Sequence, residues 1–281
     1  MASLPAETPL LTVKSGRVKA ARRLARRASR AESRRFLAEG PQAVREALDL
    51  PGCVEEVFAL RGAADAHPDL RARAADHGVA WHLVDDAALG SLAETVHPQG
   101  LVGVCRFIDR PLVDVLPQPS EEGASLVAVC ADVRDPGNAG TVIRCADAAG
   151  AGAVVLTGSS VDPYNGKAVR ASVGSLFHLG LAVDPDTAAV ITELRSRGFQ
   201  VLAADGAGET DLDDAVDEGL LARPTAWLFG NEAWGLPDEI AALADLRVRI
   251  PIHGRAESLN LATAAAVCLY ASARAQRHTR R

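Results

Sequence analysis

Apolar runs alternate with helical patterns through the second half of the chain, from residue 125 onward. Near-continuous apolar strands separated by helices are typical of a parallel sheet covered on both faces, so we predict an α/β fold. The predicted strands span residues 125–133, 153–158, 179–183, 199–205, 225–230 and 246–252. The predicted helices lie near 138–149, 166–177, 187–197 and 236–244, with a last helix from Asn260. In such sheets ligands bind beyond the carboxyl ends of the strands, which directs attention to the loops that follow them.

The first hundred residues predict a smaller α/β unit. A basic helix is predicted over 18–31, with Val18, Ala21, Leu24 and Ala28 on one face. The remaining elements are a short strand near 34–40, a helix opened by Pro41, strands at 53–60, 79–84 and 101–107, and helices at 69–78 and 85–96. Three prolines, acids and a glycine within 108–124 are typical of a linker. We therefore predict one domain over 1–110, a linker over 111–124 and a second domain over 125–281.

Basic residues are concentrated near the start of the chain. Residues 11–36 contain ten lysines and arginines against one acid, Glu32, a local charge of +9 within a chain of net charge −6. The other residues therefore sum to −15, and a one-sided cluster of this kind is typical of a surface that binds a phosphate backbone. A solvated helix face or a basic tail would give the same pattern, so charge alone leaves both interpretations open.

Several classes of protein are excluded by composition and by missing motifs. Apolar residues at 48% and charged residues at 23% argue against disorder, and no apolar run or leader pattern predicts a membrane or secreted protein. Five cysteines without C-x-x-C spacing predict reduced thiols in a cytoplasmic protein, and the scattered histidines predict no metal site. A phosphate-binding P-loop and a serine-hydrolase elbow around Ser258 are both missing, and Gly206–Gly208 is too short for a dinucleotide fingerprint.

Three loops after predicted strands contain clustered polar residues. In the first, Pro136 and Gly137 predict a turn, Asn138 can cap the following helix, and Arg144 lies in its second turn. A capped helix in which Arg144 pairs with Asp147 at i+3 would explain the same residues without any function.

The second loop follows a strand that ends directly in Gly230, Asn231 and Glu232. A glycine there allows a ligand to approach the backbone closely, although an ordinary Asn-Glu turn is the simpler interpretation. In the third loop, Ser258 or Asn260 can cap the Ala-rich last helix, and the two polar side chains with free helix N–H groups also suit a polar ligand.

The three loops in this order resemble the SpoU/TrmH family of RNA ribose 2′-O-methyltransferases. The matching residues are Asp135, Pro136, Asn138, Gly140 and Arg144; then Gly230, Asn231, Glu232 and Gly235; then Pro251, Ser258, Leu259 and Asn260. The resemblance covers 125–281, including the segment 162–178 between the first two motifs. The N-terminal residues are similar to the substrate-binding extension of many family members, through the basic start, Phe36, Glu39-Gly40 and residues 95–100.

The resemblance implies a fold and a reaction. The implied fold is a parallel sheet whose C-terminal segment threads through a loop to form a trefoil knot, an exception to the usual unthreaded connections. The implied cofactor is S-adenosylmethionine, bound bent inside the knot, and the implied partners are RNA and a second copy in a homodimer. The N-terminal domain favours ribosomal RNA because it adds a grip on a large structured target.

The resemblance also implies the site residues. The adenine of the cofactor is expected in a slot formed at Leu228, Gly230, Asn231, Ile250, Ile252 and Leu259. The catalytic residues are expected to be Arg144, Asn138, Glu232, Ser258 and Asn260. Because a guanidinium stays protonated at neutral pH, we expect Arg144 to hold the target phosphate and stabilise the developing alkoxide, while the other four position Arg144 and the ribose.

Three alternatives stay open at this point. The substrate can be transfer RNA instead of ribosomal RNA, or the chain can be a non-catalytic RNA-binding or ribosome-assembly protein that keeps the fold. Intact polar residues at all three motifs count against the second of these. Methylation of a base is the third, and the Asn138, Gly140 and Arg144 pattern of the first motif argues for ribose instead.

Overall fold

A computed structural model of the chain describes residues 10–119 and 125–279, with side chains described up to residue 277. Contacts group these residues into two compact units. The first unit runs up to Ile108 and also includes Tyr164–Phe177, and the second contains Asp109–Pro163 and the chain from His178 onward. Residues 1–9, 120–124 and 280–281 of the predicted domains and linker lie outside the described part.

The first unit is built on a mixed four-stranded sheet. Its elements are α1 (Gly16–Arg22), α2 (Arg27–Ser33), β1 (Arg35–Glu39), α3 (Pro41–Asp49), β2 (Val54–Ala59), α4 (Arg61–Ala66), α5 (Pro68–Asp76), β3 (Ala80–Leu83), α6 (Asp86–Leu92) and β4 (Leu101–Arg106). The strand order is β1-β4-β2-β3, in which β4 is antiparallel to both neighbours and β2 is parallel to β3. The predicted small α/β arrangement is therefore present.

The predicted basic helix over 18–31 is broken. A 3₁₀ turn over Arg23–Ala25 follows α1, and Arg26 is extended with φ −95° and ψ 131° before α2 begins. Arg30 is buried and donates from Nη1 to the carbonyl oxygens of Leu24 and Ala25 at 2.9 and 3.0 Å, which fixes the break. The predicted apolar face is buried at Val18, Ala21 and Leu24 but exposed at Ala28, because the helical phase does not continue past Arg26.

The chain after Ile108 forms the remaining elements, of which α9 belongs to the first unit. They are α7 (Leu112–Val115), β5 (Leu126–Ala131), α8 (Pro136–Ala149), β6 (Ala153–Thr157), α9 (Gly166–Ser172), β7 (Gly180–Asp184), α10 (Thr187–Ser196), β8 (Gln200–Ala204), β9 (Thr210–Asp211), α11 (Leu212–Asp217), β10 (Thr225–Phe229), α12 (Asp238–Ala241), β11 (Leu246–Arg249) and α13 (Leu261–Thr279). The strand order in the second unit is β7-β6-β5-β10-β8-β11-β9, and every neighbouring pair is parallel. The predicted parallel α/β sheet is confirmed.

The central strand β10 explains why the sheet is covered on both faces. Ala226 and Leu228 pack into the core on one side, with residues of α10. Trp227 is fully buried and donates from Nε1 to Oγ of Ser272 on α13 at 2.9 Å. The alternation of side chains along a strand therefore sends successive residues of an apolar run into two separate cores.

The segment Tyr164–Phe177 packs within the first unit although the sequence prediction places it in the domain over 125–281. The rings of Tyr164 and Phe177 lie 4.7 and 6.1 Å from that of the fully buried Phe36, measured between centroids. Arg170 on α9 donates to Glu39 at 3.2 Å and to Glu94 at 3.1 Å. These aromatic and charged contacts are long-range pairings, which local sequence patterns do not encode.

None of the helices within the described residues is long and apolar enough to span a bilayer. All five cysteines are free thiols, and four of them are buried while Cys145 is half-buried. Burial raises the pKa of both Cys130 and Cys268 to about 12, with the charge of Glu232 adding to the effect at Cys130. These two thiols therefore remain protonated at neutral pH.

Candidate active site

The three polar loops follow β5, β10 and β11, at the carboxyl edge of the parallel sheet. The side-chain amide of Asn138 brings them together. Its Nδ2 donates to Oε1 of Glu232 at 3.0 Å, and its Oδ1 accepts from Nδ2 of Asn260 at 3.1 Å. One residue from each loop therefore takes part in a single hydrogen-bonded chain, which we call the three-loop network.

The first loop enters α8 through Asp135, which is the N-cap. Oδ1 of Asp135 accepts from the backbone N–H of Asn138 at 2.8 Å, while Pro136 occupies the first turn. The prediction that Asn138 caps this helix is therefore wrong, because the cap position falls three residues earlier. With capping done by Asp135, the Asn138 amide is available to bind the other two loops.

Glu232 binds the first loop through its carboxylate. Besides Asn138, it accepts from the backbone N–H groups of Arg134 at 3.1 Å and Asp135 at 3.0 Å. Partial burial alone would raise the pKa of Glu232, but the hydrogen bonds from Asn138 and these backbone groups outweigh it and lower the pKa below its ordinary value. Glu232 therefore acts as an ionised acceptor that holds two loops together.

Asn231 and Gly230 fix the second loop. Asn231 is buried and donates from Nδ2 to the carbonyl oxygen of Asp132 at 2.7 Å, while its backbone exchanges hydrogen bonds of 2.8 and 2.9 Å with Gly235. A Cβ atom at Gly230 would overlap the backbone of Gly235 and Leu236. The backbone of the loop itself therefore already requires a glycine at this position, and the approach of a ligand to Gly230 stays a prediction.

Asn260 is the cap of the last helix. Its Oδ1 accepts from the backbone N–H groups of Ala262 at 2.9 Å and Thr263 at 3.4 Å. Ser258 is exposed and makes no side-chain hydrogen bond to any residue of 10–119 or 125–279. The sequence allowed either Ser258 or Asn260 to cap α13 or to bind a ligand. In the structure Asn260 is the cap, and the Ser258 hydroxyl remains available to a ligand.

Arg144 lies six residues after Asn138 on α8, with an exposed side chain. The alternative pairing with Asp147 is not formed, because Asp147 contacts Nδ1 of His178 at 2.8 Å. Among the described residues Arg144 has no hydrogen-bond or ion-pair partner, so the structure does not bring it into the three-loop network. An exposed guanidinium without a protein partner can take an anionic ligand.

The residues predicted to bind a cofactor lie on or after the same strands, with different degrees of exposure. Leu228 is fully buried in β10, with ladder partners on both sides, and Ile250 is half-buried just after β11. Ile252 and Leu259, both in the third loop, expose 38% and 37% of their surface. They provide an apolar surface beside polar loops, which is the usual composition of a small-molecule site.

Sequence reasoning did not identify Asp132 as part of the site. It adopts φ +57°, and its Oδ1 accepts from the backbone N–H of Ser159 at 2.8 Å while its carbonyl oxygen receives Asn231. Aspartate is among the residues that tolerate the left-handed region, so an Asp directly after a strand is the feature that indicates such a turn.

Within the described part of the chain, no group of three or more His, Cys, Asp or Glu side chains is arranged to hold a metal ion.

Comparison with known protein families gives matches to both halves of the chain. Residues 125–270 match the SpoU rRNA methylase family, and residues 16–103 match the MRM3-like substrate binding domain. A relative from Bacillus subtilis (strain 168), named 23S rRNA (guanosine(2553)-2′-O)-methyltransferase RlmP, is 32% identical over 262 residues. The aligned residues cover 92% of this chain and 96% of that relative.

Solved structures of methyltransferases are also similar to this chain over most of its length. The AdoMet-bound rRNA methyltransferase from Sinorhizobium meliloti superposes with a TM-score of 0.79 at 34% identity, covering 96% of this chain and 98% of that structure. The SpoU methyltransferase AviRb from Streptomyces viridochromogenes in complex with AdoMet gives a TM-score of 0.81 at 28% identity, covering 94% and 100% of the two chains.

Proposed function

Because the chain belongs to the SpoU rRNA methylase family, we propose that it methylates a ribose 2′-hydroxyl of large-subunit ribosomal RNA. Its reaction is S-adenosylmethionine-dependent RNA 2′-O-methylation. The observation that carries the proposal is the three-loop network, in which Asn138 joins Glu232 and Asn260. This network holds the three motif loops together at one edge of the sheet.

The cofactor site is proposed at the apolar surface beside this network. The exposed side chains of Ile252 and Leu259 suit the faces of an adenine ring, and Gly230 and Ile250 add backbone groups at the same edge. Asn231 contributes by holding this loop in place through its hydrogen bonds to Gly235 and Asp132. Leu228 contributes as the buried floor of β10. S-adenosylmethionine supplies an electrophilic methyl group there when it is bound. The knotted chain path that the resemblance implies stays a prediction.

The side chains of the site divide into binding and positioning roles. The guanidinium of Arg144 is exposed and unpaired among the described residues, which suits a phosphate of the substrate and the negative charge that develops on the ribose oxygen. The free hydroxyl of Ser258 can exchange hydrogen bonds with the ribose. Glu232, Asn138 and Asn260 are occupied with one another and hold the loops at fixed distances, so that reactants meet in a favourable geometry.

The first unit supplies a charged surface for RNA. Six exposed cations within 14–27 have no side-chain partner among the described residues: Lys14, Lys19, Arg22, Arg23, Arg26 and Arg27. By contrast, Arg17 and Arg35 pair with glutamates of β2, and Arg30 is buried. Unpaired cations on one segment bind phosphates and release counterions. This surface, together with relatives named as 23S rRNA methyltransferases, favours ribosomal RNA over transfer RNA.

A homodimer and a cytoplasmic location belong to the same proposal. Ala265 and Cys268 of α13 are fully buried, so this face of the helix forms part of the core of the second unit. A different face leaves Val267 and Tyr270 exposed at 38% and 52%, one helical turn apart. Exposed apolar side chains on an otherwise packed helix suit contact with a second copy.

Methyl transfer from labelled S-adenosylmethionine to unmethylated ribosomal and transfer RNA tests the function. Alkaline hydrolysis follows, because a 2′-O-methyl group blocks cleavage at its linkage. Label in an alkali-resistant dinucleotide of ribosomal RNA is the expected result. Label in transfer RNA alone would overturn the substrate, and label in alkali-sensitive mononucleotides would indicate base methylation. Cofactor binding without transfer to either RNA would favour the non-catalytic RNA-binding or ribosome-assembly alternative.

A further inference from the structure

Trp234 lies within the second loop, in the turn between Asn231 and Gly235, with 61% of its surface exposed. Its position is fixed on both sides by the loop backbone. Asn231 and Gly235 exchange two backbone hydrogen bonds around it, and the backbone N–H of Ala233 donates to Oδ1 of Asn231 at 2.8 Å. The loop therefore holds an indole ring in solvent that it does not bury, whereas Trp227 in the preceding strand is fully buried.

Arg134 lies on the first loop, directly across the carboxylate of Glu232. The backbone N–H of Arg134 donates to Oε2 of Glu232 at 3.1 Å, and Trp234 follows Glu232 by two residues. The Arg134 side chain is 56% exposed. Its Nη2 lies 3.9 Å from Oδ1 of Asp132, a distance at which an ion pair is weak. One carboxylate thus fixes the spacing of two loops, each of which carries an exposed side chain beside the motif residues.

We propose that Trp234 and Arg134 hold one unpaired nucleotide of the substrate RNA next to the methylated ribose. The base stacks on the indole ring of Trp234, and the guanidinium of Arg134 contacts a neighbouring phosphate. Every nucleobase offers a face for stacking, and single-stranded RNA is held by aromatic side chains combined with cations. This inference rests on the proposed function and assigns substrate contacts to two residues that the function did not use.

Steady-state methylation of an unmethylated large-subunit ribosomal RNA transcript tests the proposal. For Trp234→Ala we expect KM for RNA to rise roughly 10-fold, the loss of about one stacked base. We expect kcat and the Kd of S-adenosylmethionine to stay near the wild-type values. Trp234→Phe should recover most of the loss, because a phenyl ring also stacks. A variant that disturbed the loop fold alone would lower kcat and would not be rescued in this way.

Arg134→Ala has a separate readout. Its RNA affinity should decline, and the slope of log affinity against log salt should fall by about 0.7, the value for one lost phosphate contact with a single strand. Arg134→Lys should keep the slope, since it keeps the charge. An unchanged slope in Arg134→Ala would remove the phosphate contact from the proposal.

Acrylamide quenching of tryptophan fluorescence tests whether the RNA covers the indole ring of Trp234. In a Trp81→Phe background, Trp234 is the solvent-exposed emitter of the remaining pair, because Trp227 is buried. The RNA transcript should protect its emission from acrylamide, and S-adenosylmethionine alone should not. Protection by the cofactor alone would overturn the proposal, and so would dissociation of a dimer in Trp234→Ala, because the ring would then face the cofactor or a second copy.

Methyl transfer by the wild-type protein and the KM of Trp234→Ala are separate measurements. If the wild-type protein transfers no methyl group to any RNA, the proposed function fails. If the wild-type protein methylates RNA and Trp234→Ala retains the wild-type KM, only the nucleotide contact is overturned.

Discussion

Nδ2 of Asn260 donates to Oδ1 of Asn138 at 3.1 Å across 122 residues of sequence. The same Asn260 caps α13 through its Oδ1, so the start of the last helix and the first motif loop are bound through one side chain. Asn138 extends the connection to Glu232 at 3.0 Å. The geometry of each loop therefore depends on the other two.

Asn260 has two separable contacts, and substitutions can remove them one at a time. Asn260→Asp keeps a cap oxygen but loses the N–H donor to Asn138, so we expect near-wild-type stability and reduced turnover. Asn260→Ala also loses the cap, and we expect a further decrease of about 1 kcal/mol in the free energy of unfolding. Urea denaturation and single-turnover methylation measure the two effects. Ser258→Ala is the matched control, expected to lower turnover without lowering stability.

Arg144→Ala should lose most of its turnover, about 100-fold or more, because the group that stabilises developing charge is gone. Cofactor affinity should change little, since Arg144 makes no hydrogen bond or ion pair to any described residue proposed to hold the cofactor. Turnover comes from labelled-methyl transfer, and cofactor affinity from calorimetry. Weakened cofactor binding with intact turnover would contradict the assigned role.

Glu232 should contribute to stability in a pH-dependent way. Its folded-state pKa lies below its ordinary value of 4.5, so the ionised carboxylate stabilises the folded protein above that pH. This contribution is lost as pH falls through the folded-state pKa. Glu232→Gln should be less stable than wild type by about 1 kcal/mol at neutral pH. The effect is small because solvent screens the charge of this exposed side chain. The difference in urea midpoint should shrink as the pH falls below 4.5, and a constant difference would exclude the charge as its source.

Arg30 and Arg27 lie on the same short helix but are predicted to behave oppositely. Arg30→Ala leaves the carbonyl groups of Leu24 and Ala25 without the guanidinium, and we expect a loss of about 2 kcal/mol in stability. Arg27→Ala should change stability by less than about 0.5 kcal/mol, because its side chain is exposed and unpaired among the described residues. Thermal unfolding and RNA filter binding separate the two, and RNA affinity should fall in Arg27→Ala at unchanged stability.

The parallel sheet was predictable because each strand is a short apolar run with a turn at its end. The strands from β5 to β8, together with β10 and β11, fall within the predicted ranges or one residue from them. The two-residue strand β9 and the helix α11 were not predicted, because Thr210–Asp217 is polar and too short to show a period. The segment Tyr164–Phe177 packs in the first unit through its contact with Phe36. Local sequence patterns do not encode a contact between residues so far apart in the chain.

The sequence predicted which loops carry the candidate site, but it did not predict the hydrogen bonds within and between those loops. Asn138, Glu232 and Asn260 were noticed because each lies in a loop after a predicted strand, and the resemblance to the SpoU/TrmH family then assigned them to one site. The sequence prediction misplaced the cap of α8, because Asp135 and Asn138 are equally suited to capping and only the backbone path decides between them. The sequence also did not indicate that the backbone of Gly235 packs against Gly230, because that contact depends on how the loop folds back on itself.

The pairing of Arg170 with Glu39 spans 131 residues and has a consequence for biosynthesis. At ~5–20 residues per second, the ribosome adds the arginine roughly 7 to 26 s after the glutamate. Until residues 164–177 have been added, the ring of Phe36 lacks Tyr164 and Phe177 as neighbours, and an apolar surface of the nascent chain remains open to water. A fragment ending in the linker would keep that open surface permanently, so the N-terminal unit matures only after part of the catalytic half has been translated.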